Sequence, residues 1–452
     1  MASRLMMSVS GIRGVVGETM TPELILRAGG AFARHVKGGP VVIGRDSRPT
    51  GEAISRGMQS ALAMSGCDVI DIGLVPTPTV QVMVEHLGAA GGIVISASHN
   101  PIQWNAFKLI NSSGTFLNEK DINRYFSMMD LEPEHRPWNR IGTIAADMSS
   151  FEIHIKKVMK VINVGKIRKR KFRVVLDSVN GAGSLITREL LGRLGCEVIP
   201  LFCEPDKPFP RGAEPLPENL RALSAAVRKH RADIGFAQDP DADRLAIVDD
   251  AGRPIGEELT VALAAERMLS KKKGMVVVNL STSRAVEDVA IRHGAPFLRA
   301  KVGEINVVEA MRRKGALVGG EGNGGVISPE VHLGRDSLVG IGYVLDMLAA
   351  RGQSISDAVS ALPSYVMKKG KVSFDPSTFD ASVLDRIRND FKNDKISAAD
   401  GLRIDFRAGS PYAGGWVHLR PSNTEPVFRI IAEGPDKERA ESIYSRFEKI
   451  FR

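Results

Sequence analysis

The sequence predicts an α/β protein of four domains: three similar mixed α/β domains followed by a smaller C-terminal α+β domain. Its 452 residues exceed what a single hydrophobic core organises. Short runs rich in Val and Ile alternate with helix-like stretches, which is the rhythm of βαβ units. Because that rhythm restarts at intervals of about a hundred residues, we predict the domains 1–147, 148–250, 251–363 and 364–452.

Each of the first three units contains a strand, a helix and a second strand in that order. The first unit has them at residues 40–43, 51–65 and 67–72. The corresponding segments of the next two units are 172–177, 184–194 and 197–201, and then 275–280, 283–293 and 316–318. Near residue 365 the pattern changes: we predict strands at 368–374, 416–419 and 427–431, and helices at 379–392 and about 436–451.

The overall charge is basic: 61 Lys and Arg against 52 Asp and Glu give a net charge of +9. Such a chain attracts anions, whether nucleic acid, acidic lipid or phosphorylated metabolites. The clearest basic run, residues 166–171, contains no aromatic side chain, and aromatic content is only 6%. That composition argues against a platform for single-stranded nucleic acid. We interpret the run as a solvated surface patch.

The three cysteines and the apolar runs indicate a compartment. Cys67, Cys196 and Cys203 are scattered and lack a Cys-x-x-Cys spacing, so neither a disulfide framework nor a zinc site is predicted. No apolar run reaches the roughly 18 residues of a membrane helix, and the amino terminus does not resemble a signal peptide. We therefore expect a cytoplasmic protein.

A serine in a sharp polar turn is the most informative local feature. Residues 95–101 (ISASHNP) end an apolar run and place an exposed hydroxyl at Ser98. Its ordinary interpretations are a helix N-cap or a turn residue before Pro101. A serine hydrolase is disfavoured, because Gly-x-Ser-x-Gly is missing and the adjacent His99 is not expected to swing back as a base. A serine held in this way can also carry a phosphoryl group.

Residues 239–243 (DPDAD) place three carboxylates in five positions, a density of negative charge that indicates a bound cation. An EF-hand would need Gly and Glu at its sixth and twelfth positions, where the chain has Arg244 and Asp250. Pro240 disfavours a central strand, so we predict a loop whose carboxylates surround one point. Mg²⁺ suits such oxygen ligands, and an acidic surface turn is the alternative.

Residues 320–325 (GEGNGG) formally match the dinucleotide fingerprint G-x-G-x-x-G. The following residues 326–329 (VISP) do not open a helix, so the phosphate-on-helix mechanism is unavailable. What remains is a tight loop with one carboxylate and one amide, suited to sugar hydroxyls or serving only as a hairpin turn.

Residues 420–426 (RPSNTEP) combine a guanidinium, two hydroxyls, an amide and free backbone N–H groups between prolines. This composition is typical of an anion-binding turn. An ordinary Pro-Ser-Asn turn is equally compatible with the segment alone.

Taken together and in this order, the four segments resemble the α-D-phosphohexomutase superfamily. Its members carry a serine loop, a metal loop, a sugar loop and a phosphate loop, one per domain, around a central cleft. Residues 10–14 and 44–48 also resemble the family's opening segments. The resemblance implies a phosphoserine domain, a metal-binding domain, a sugar-binding domain and a phosphate-binding domain.

The resemblance also implies the site residues. Its catalytic residues would be Ser98, Lys108, Arg13, Arg244 and His99, with Ser98 phosphorylated and Lys108 as general acid/base or its electrostatic partner. The metal ligands would be Ser98, Asp239, Asp241 and Asp243. The substrate-binding residues would be Gly303, Glu321 and Asn323 for the sugar, and Arg420, Ser422, Asn423, Thr424 and Arg429 for the phosphate that does not react.

The implied reaction moves a phosphate within a hexose. Phosphoserine would give its group to a hexose monophosphate, the bisphosphate would turn end for end, and the serine would recover the other phosphate. One Mg²⁺ per chain would be the cofactor and a hexose 1,6-bisphosphate the activator. The expected partner is a phosphorylated hexose; neither nucleic acid nor a membrane is expected, and a homo-oligomer is left open.

The sugar loop departs from many members, which have Ser and His where this chain has Asn323 and Gly325. Glu304 stands where some relatives have His. This version resembles the archaeal-type branch assigned as phosphoglucosamine mutase, so we expect glucosamine phosphate first and mannose or glucose phosphate second.

Two rival classes are weaker. A mutase of the haloacid dehalogenase kind would use an Asp nucleophile in Asp-x-Asp followed by Thr or Val, which Pro240 and Arg244 disfavour. A non-catalytic phosphosugar-binding or nucleic-acid-binding protein would need neither Ser98 nor the three aspartates.

Overall fold

A computed structural model describes residues 5–373, 382–421 and 427–451, and this part of the chain forms four β-sheets in chain order. The first three sheets mix parallel and antiparallel pairs, and the fourth is antiparallel. The predicted α/β class with a final α+β domain is confirmed. The predicted boundaries between the domains stay predictions.

The first domain contains a seven-stranded sheet with the order β1-β2-β6-β5-β3-β4-β7. Its elements are β1 (Met6–Ser8), β2 (Gly11–Val15), α1 (Pro22–His35), β3 (Val41–Arg45), α2 (Gly51–Met64), β4 (Val69–Leu74), α3 (Thr77–Leu87), β5 (Gly91–Ile95), β6 (Trp104–Asn111), α4 (Glu119–Met129) and β7 (Ile144–Ala146). Every residue of β5 is buried, as expected for a central strand covered on both faces.

The second domain has a four-stranded sheet with the order β11-β10-β8-β9. Its elements, with the two helices that lead into it, are α5 (Ser150–Val161), α6 (Val164–Arg170), β8 (Arg173–Asp177), α7 (Gly183–Arg193), β9 (Glu197–Leu201), a short 3₁₀ turn (Pro217–Asn219), α8 (Arg221–His230), β10 (Ile234–Gln238) and β11 (Leu245–Val248).

The third domain has a five-stranded sheet with the order β13-β12-β14-β15-β16. Its elements are α9 (Glu258–Lys271), β12 (Val276–Asn279), α10 (Arg284–Arg292), β13 (Phe297–Ala300), α11 (Glu304–Lys314), β14 (Val318–Glu321), β15 (Gly325–Ser328), β16 (His332–Arg335), α12 (Ser337–Arg351) and α13 (Ile355–Ser360). Residues after Gly324 enter a strand, so the rejection of a dinucleotide fingerprint is confirmed.

The fourth domain is a sheet with the order β17-β21-β20-β19-β18 and two helices. Its described elements are β17 (Val366–Ser373), α14 (Val383–Asp390), β18 (Lys395–Ser397), β19 (Leu402–Asp405), β20 (Trp416–Pro421), β21 (Val427–Gly434) and α15 (Lys437–Phe451). Of the helix predicted at 379–392, residues 379–381 lie outside the described residues, and the described helix α14 ends at Asp390, two residues earlier than predicted.

A shared feature of the four sheets positions the site. In the first three, the predicted functional loop joins a strand with a parallel neighbour to an antiparallel strand: β5 to β6, β10 to β11 and β14 to β15. In the fourth, the antiparallel strands β20 and β21 flank residues 422–426. The first three domains therefore build their loops at equivalent places in their sheets.

Packing makes the second and third domains one unit. A single hydrophobic cluster contains Phe236 of β10, Val278 of β12 and Val344 of α12. The basic run lies on α6 and is exposed apart from Ile167, which confirms a solvated patch. The three cysteines are free. Among the described residues, no helix has the length and apolarity needed to cross a membrane.

Candidate active site

The acidic segment between β10 and β11 gathers its carboxylates around one point. Asp239, Asp241 and Asp243 are fully buried, and one ligand atom from each lies within 4.8 Å of the others. Ala242 has a φ of 52°, a left-handed conformation that costs a non-glycine residue about 1–3 kcal/mol. This strained turn is what lets alternate residues of one loop meet; we name residues 239–244 the metal loop.

Ser98 lies beside the metal loop although 141 residues separate it from Asp239. Its Oγ donates a hydrogen bond of 2.9 Å to Asp239 Oδ2. Ser98 has a φ of 49° and no helix begins at it, so the turn interpretation is confirmed and the N-cap interpretation is wrong. The expectation of an exposed hydroxyl is also wrong: Ser98 is 2% exposed, because another domain packs against the turn.

Lys108 and Thr77 connect the first domain to the metal loop. Lys108, on β6, pairs with Asp241 Oδ2 and lies 3.6 Å from Asp243 Oδ2. Thr77, at the start of α3, donates its hydroxyl to Asp241 Oδ2 and its N–H to the Asp241 carbonyl at 3.0 Å. Burial alone would raise the pKa of Asp241, but the charge and hydrogen bond of Lys108, with Thr77, lower it.

A buried ion pair supports the serine loop, residues 95–101. Arg48 pairs with Asp46, and Ser96 Oγ donates to Asp46 Oδ2 at 2.6 Å. The second arm of Arg48 donates to the carbonyls of Ser98 and Asn100 at 2.8 and 2.6 Å. These bonds hold the turn in its left-handed conformation.

Arg13 and His99 lie around the serine. Arg13 donates to Asn100 Oδ1 at 3.0 Å, and burial together with the charge of Arg244 lowers the pKa of Arg13. His99 Nδ1 lies 3.4 Å from Ser98 Oγ, so the ring reaches the serine, while the serine hydroxyl donates to Asp239. Burial, and then the charges of Arg244 and Arg13, lower the pKa of His99 to about 2, which makes its imidazole neutral.

Arg244 places a guanidinium beside the metal loop. Its Nη1 donates to Glu214 Oε1 at 2.8 Å, and its Nε lies 4.0 Å from Asp239 Oδ2 and 3.8 Å from Asp243 Oδ1. The guanidinium is therefore within reach of any anion that approaches the carboxylates.

The sugar loop, residues 321–325, lies beside the strand that follows the metal loop. Glu321 is 4% exposed, and its Oε1 accepts a hydrogen bond of 3.0 Å from the N–H of Gly303. Asn323 has a buried Oδ1 without a hydrogen-bond partner in the described part of the chain. The N–H of Leu245 donates to the Gly324 carbonyl at 3.0 Å. Three predicted sugar-binding residues thus lie near the strand that follows the metal loop.

The predicted phosphate site is described only in part. Ser422, Asn423 and Thr424 lie outside the described residues. Arg420 on β20 is directly opposite Arg429 on β21, and Lys371 on β17 is opposite Arg429 on its other side. Cross-strand partners share a face, so these three basic side chains form one row on the sheet. Arg420 Nε also donates to Asp400 Oδ1 at 3.0 Å.

The acidic loop fits a hard divalent cation. Oδ1 of Asp241 and Oδ1 of Asp243 are buried and accept no hydrogen bond from the described residues. Burial, and then the negative charges of Asp243 and Asp241, raise the pKa of Asp239 well above its ordinary value. Carboxylate oxygens without donors, crowded together out of water, are the ligands that Mg²⁺ prefers.

Comparison with known proteins agrees with this geometry. Four sequence profiles match in order: the phosphoglucomutase/phosphomannomutase alpha/beta/alpha domains I, II and III at residues 4–131, 152–252 and 256–365, and the C-terminal domain at 375–450. The chain belongs to the phosphoglucomutase/phosphomannomutase family. It is a phosphohexomutase, an isomerase of hexose phosphates.

Relatives of this phosphohexomutase carry two names. A probable phosphoglucosamine mutase of Methanopyrus kandleri is 36% identical over 447 residues, 98% of this chain and 97% of the relative. A phosphoglucomutase/phosphomannomutase of Thermococcus kodakarensis is 38% identical over 440 residues, 95% and 94% of the two chains. The crystal structure of a phosphoglucomutase/phosphomannomutase family protein from Burkholderia thailandensis superposes with a TM-score of 0.83 at 26% identity, covering 98% and 97%.

The structure of the phosphohexomutase adds a residue that the sequence argument missed. Arg335, at the end of β16, is buried and contacts three carboxylates: Asp243 Oδ2 at 2.7 Å, Glu321 Oε2 at 2.8 Å and Glu304 Oε2 at 2.9 Å. Its sequence signal is weak, because a single arginine at the end of a strand belongs to no motif. Thr77 and Glu214 also lie outside the motifs of the sequence and were missed.

Proposed function

We propose that this phosphohexomutase interconverts glucosamine 6-phosphate and glucosamine 1-phosphate through a phosphoserine at Ser98 and a 1,6-bisphosphate intermediate. The contact between Ser98 Oγ and Asp239 Oδ2 carries the assignment, because it joins the serine to the buried carboxylates of the next domain. No other serine of the described residues donates to the metal loop's aspartates.

The reaction makes and breaks one oxygen–phosphorus bond in each half. The bond between phosphorus and Ser98 Oγ breaks as phosphorus bonds to a sugar hydroxyl oxygen, and the proton of that hydroxyl ends on the released Ser98 Oγ. After the bisphosphate turns, Ser98 Oγ bonds to the other phosphorus as that phosphorus leaves its sugar oxygen, and the serine proton ends on the released sugar oxygen. Arg244, Arg13 and Lys108 would stabilise the charge of the transferring group.

Lys108 has two possible roles, and its contacts favour one. Its ammonium donates to Asp241 Oδ2 and lies 3.4 Å from Thr77 Oγ1. A group whose hydrogens are engaged by a carboxylate orients that carboxylate, so we assign Lys108 as the electrostatic partner. The imidazole of His99 lies 3.4 Å from Ser98 Oγ and, with a pKa lowered to about 2, is a very weak base, so we assign it to positioning the serine hydroxyl and not to proton transfer.

Mg²⁺, one ion per chain, is part of this proposal, and a hexose 1,6-bisphosphate is the proposed activator. Asp239, Asp241 and Asp243, with Ser98 or its phosphate, would hold the ion. When bound, Mg²⁺ would supply positive charge at the transferring phosphoryl group. The free cysteines are consistent with the predicted cytoplasmic location.

The preference for glucosamine phosphate rests on relatives and on charge. The Methanopyrus kandleri relative bears the name phosphoglucosamine mutase. In the sugar-binding region, the carboxylates of Glu304, Glu321 and Asp243 share the guanidinium of Arg335. A protonated amino group on the sugar would offset part of that excess negative charge. A phosphomannomutase/phosphoglucomutase of the same mechanism is the second candidate, which the Thermococcus kodakarensis relative favours.

Intact-mass spectrometry and kinetics test the proposal. Incubation with glucose 1,6-bisphosphate and Mg²⁺ should add about 80 Da, one phosphoryl group, and Ser98→Ala should abolish the adduct. Absence of the adduct in the wild type would favour a binding protein. Among glucosamine, mannose and glucose 1-phosphates, kcat/KM should be highest for the first; a higher value for either of the others would reject the glucosamine assignment.

A further inference from the structure

Arg335 joins the two loops that the proposed reaction needs at the same moment. Its three nitrogens pair separately with Asp243 of the metal loop, Glu321 of the sugar loop and Glu304 at the start of α11. All four side chains are buried, with 9% exposure for Arg335 and 0% for Asp243. A guanidinium has a planar fork of donors, so these three contacts fix the relative positions of the carboxylates.

The contact with Asp243 is made by one oxygen only. Oδ2 accepts from Arg335 at 2.7 Å and lies 3.6 Å from Lys108 Nζ, whereas Oδ1 is buried and accepts no hydrogen bond from the described residues. Asp241 shows the same division, since Lys108 and Thr77 both bond its Oδ2 and its Oδ1 has no partner there. Each carboxylate therefore has one anchored oxygen and one that is left for a cation.

We infer that Arg335 is a positioning residue: it orients Asp243 so that Oδ1 faces the cation, and it ties that orientation to Glu321 of the sugar loop. The inference rests on the proposed metal site and adds a residue that acts on it from the third domain. Removal of a group that orients a metal ligand through a hydrogen bond typically weakens metal affinity by roughly 10- to 100-fold.

The space for this guanidinium is made by a glycine. A Cβ built on Gly325 would lie 2.2 Å from Arg335 Cδ and 2.7 Å from its Cγ. Any side chain at position 325 would therefore require the methylene stem of Arg335 to shift, and we expect that shift to move the guanidinium relative to its three partners. Gly325 gives a way to move the guanidinium without changing any charge.

Calorimetric titration of the EDTA-treated full-length protein with Mg²⁺, and separately with Mn²⁺, tests the inference. Arg335→Lys keeps the charge but loses the fork, so we expect the Kd for both ions to rise by about 10-fold or more. The KM for the hexose phosphate should also rise, through Glu321. A metal Kd within about twofold of wild type, with the same instrument and buffer, would overturn the inference.

Arg267→Lys is the matched control. Arg267 on α9 is a comparably buried guanidinium whose Nε lies 3.0 Å from Asp346 Oδ2 on α12. It contacts neither loop in the described structure, so its replacement should leave the metal Kd and the KM unchanged. If Arg335→Lys does not fold, Gly325→Ala is titrated instead. We expect the same loss of metal affinity, and a metal Kd within about twofold of wild type would again overturn the inference.

Failure of the inference is distinguishable from failure of the proposed function. Wild-type protein that binds no Mg²⁺ would contradict the metal site, and wild-type protein without mutase turnover would contradict the function. The inference alone fails when the wild type binds Mg²⁺ and turns over, but Arg335→Lys binds Mg²⁺ equally well.

Discussion

The described residues include two buried groups of three side chains that could hold a metal, and the groups differ in how their polar atoms are satisfied. Asp239, Asp241 and Asp243 form one; the other is His154, His332 and Asp336, between α5, β16 and the start of α12. In the first, two carboxylate oxygens lack any described donor. In the second, Asp336 Oδ2 accepts from Nε2 of His154 at 2.8 Å and of His332 at 3.1 Å.

The carboxylate of the histidine group is satisfied without an ion. One carboxylate accepts from two imidazoles, its other oxygen caps α12 through the N–H of Leu338 at 2.8 Å, and His154 Nδ1 lies 2.9 Å from Thr79 Oγ1. His332 Nδ1, the ring nitrogen that does not face Asp336, is buried and has no hydrogen-bond partner among the described residues. Proximity of ligand-type residues is thus common to both groups, and the unsatisfied carboxylate oxygens distinguish the one that needs a cation.

The largest expected difference between the groups is catalytic. Asp241→Asn should lower kcat by at least ~100-fold, because a group that stabilises charge in the transition state is weakened. His154→Phe should change kcat less than about threefold, since the histidine group touches none of the proposed reacting atoms. Steady-state rates at saturating Mg²⁺ and glucosamine 1-phosphate measure both. Retained activity in Asp241→Asn would contradict the metal assignment.

Metal binding should stabilise the protein through the aspartates alone. Mg²⁺ at about 100 times its Kd adds roughly 2.7 kcal/mol to the free energy of unfolding, seen as a rise in Tm. Asp241→Asn should lose this rise, and His154→Phe should retain it. Differential scanning fluorimetry with and without Mg²⁺ separates the two. Loss of the rise in His154→Phe would show that the histidine group also takes part in binding.

In this chain the sequence patterns predict the secondary-structure elements and the loops better than they predict the contacts between domains. The strand predicted at 172–177 is β8 (Arg173–Asp177), and the helix predicted at 283–293 is α10 (Arg284–Arg292) with Ser283 as its N-cap. Alternation and caps are local, so they can be read along the chain. The functional loops could also be predicted, because each one links strands that are consecutive in the sequence.

The site's supporting residues could not be predicted in this way. Thr77 lies 164 positions from Asp241, and Arg335 lies 92 positions from Asp243. No period or spacing relates residues from different domains. The burial of Ser98 was missed for the same physical reason, since the second domain supplies what covers it.

A moderate expected difference concerns folding stability. His154→Phe keeps much of the ring volume but removes one donor to Asp336 and the contact with Thr79. We expect the free energy of unfolding to fall by about 1–3 kcal/mol, the cost of leaving a buried polar group unpaired. Thermal unfolding in EDTA, compared with wild type, measures the loss. The surface change Lys169→Gln on α6, an exposed position, is the control and should leave Tm unchanged.

The smallest expected effect is the pH dependence of the histidine group. Burial would raise the pKa of Asp336, but His154 and His332 lower it below its usual range. A carboxyl with a depressed folded pKa contributes stability that is present above its unfolded pKa of about 3.9 and is lost as the pH falls through the folded value. The Tm difference between wild type and Asp336→Asn should therefore be retained at pH 5 to 7, as rough limits, and shrink only below about pH 4. A difference that already disappears near pH 6, roughly the range of an ordinary imidazole, would place the decisive titration on the histidines instead.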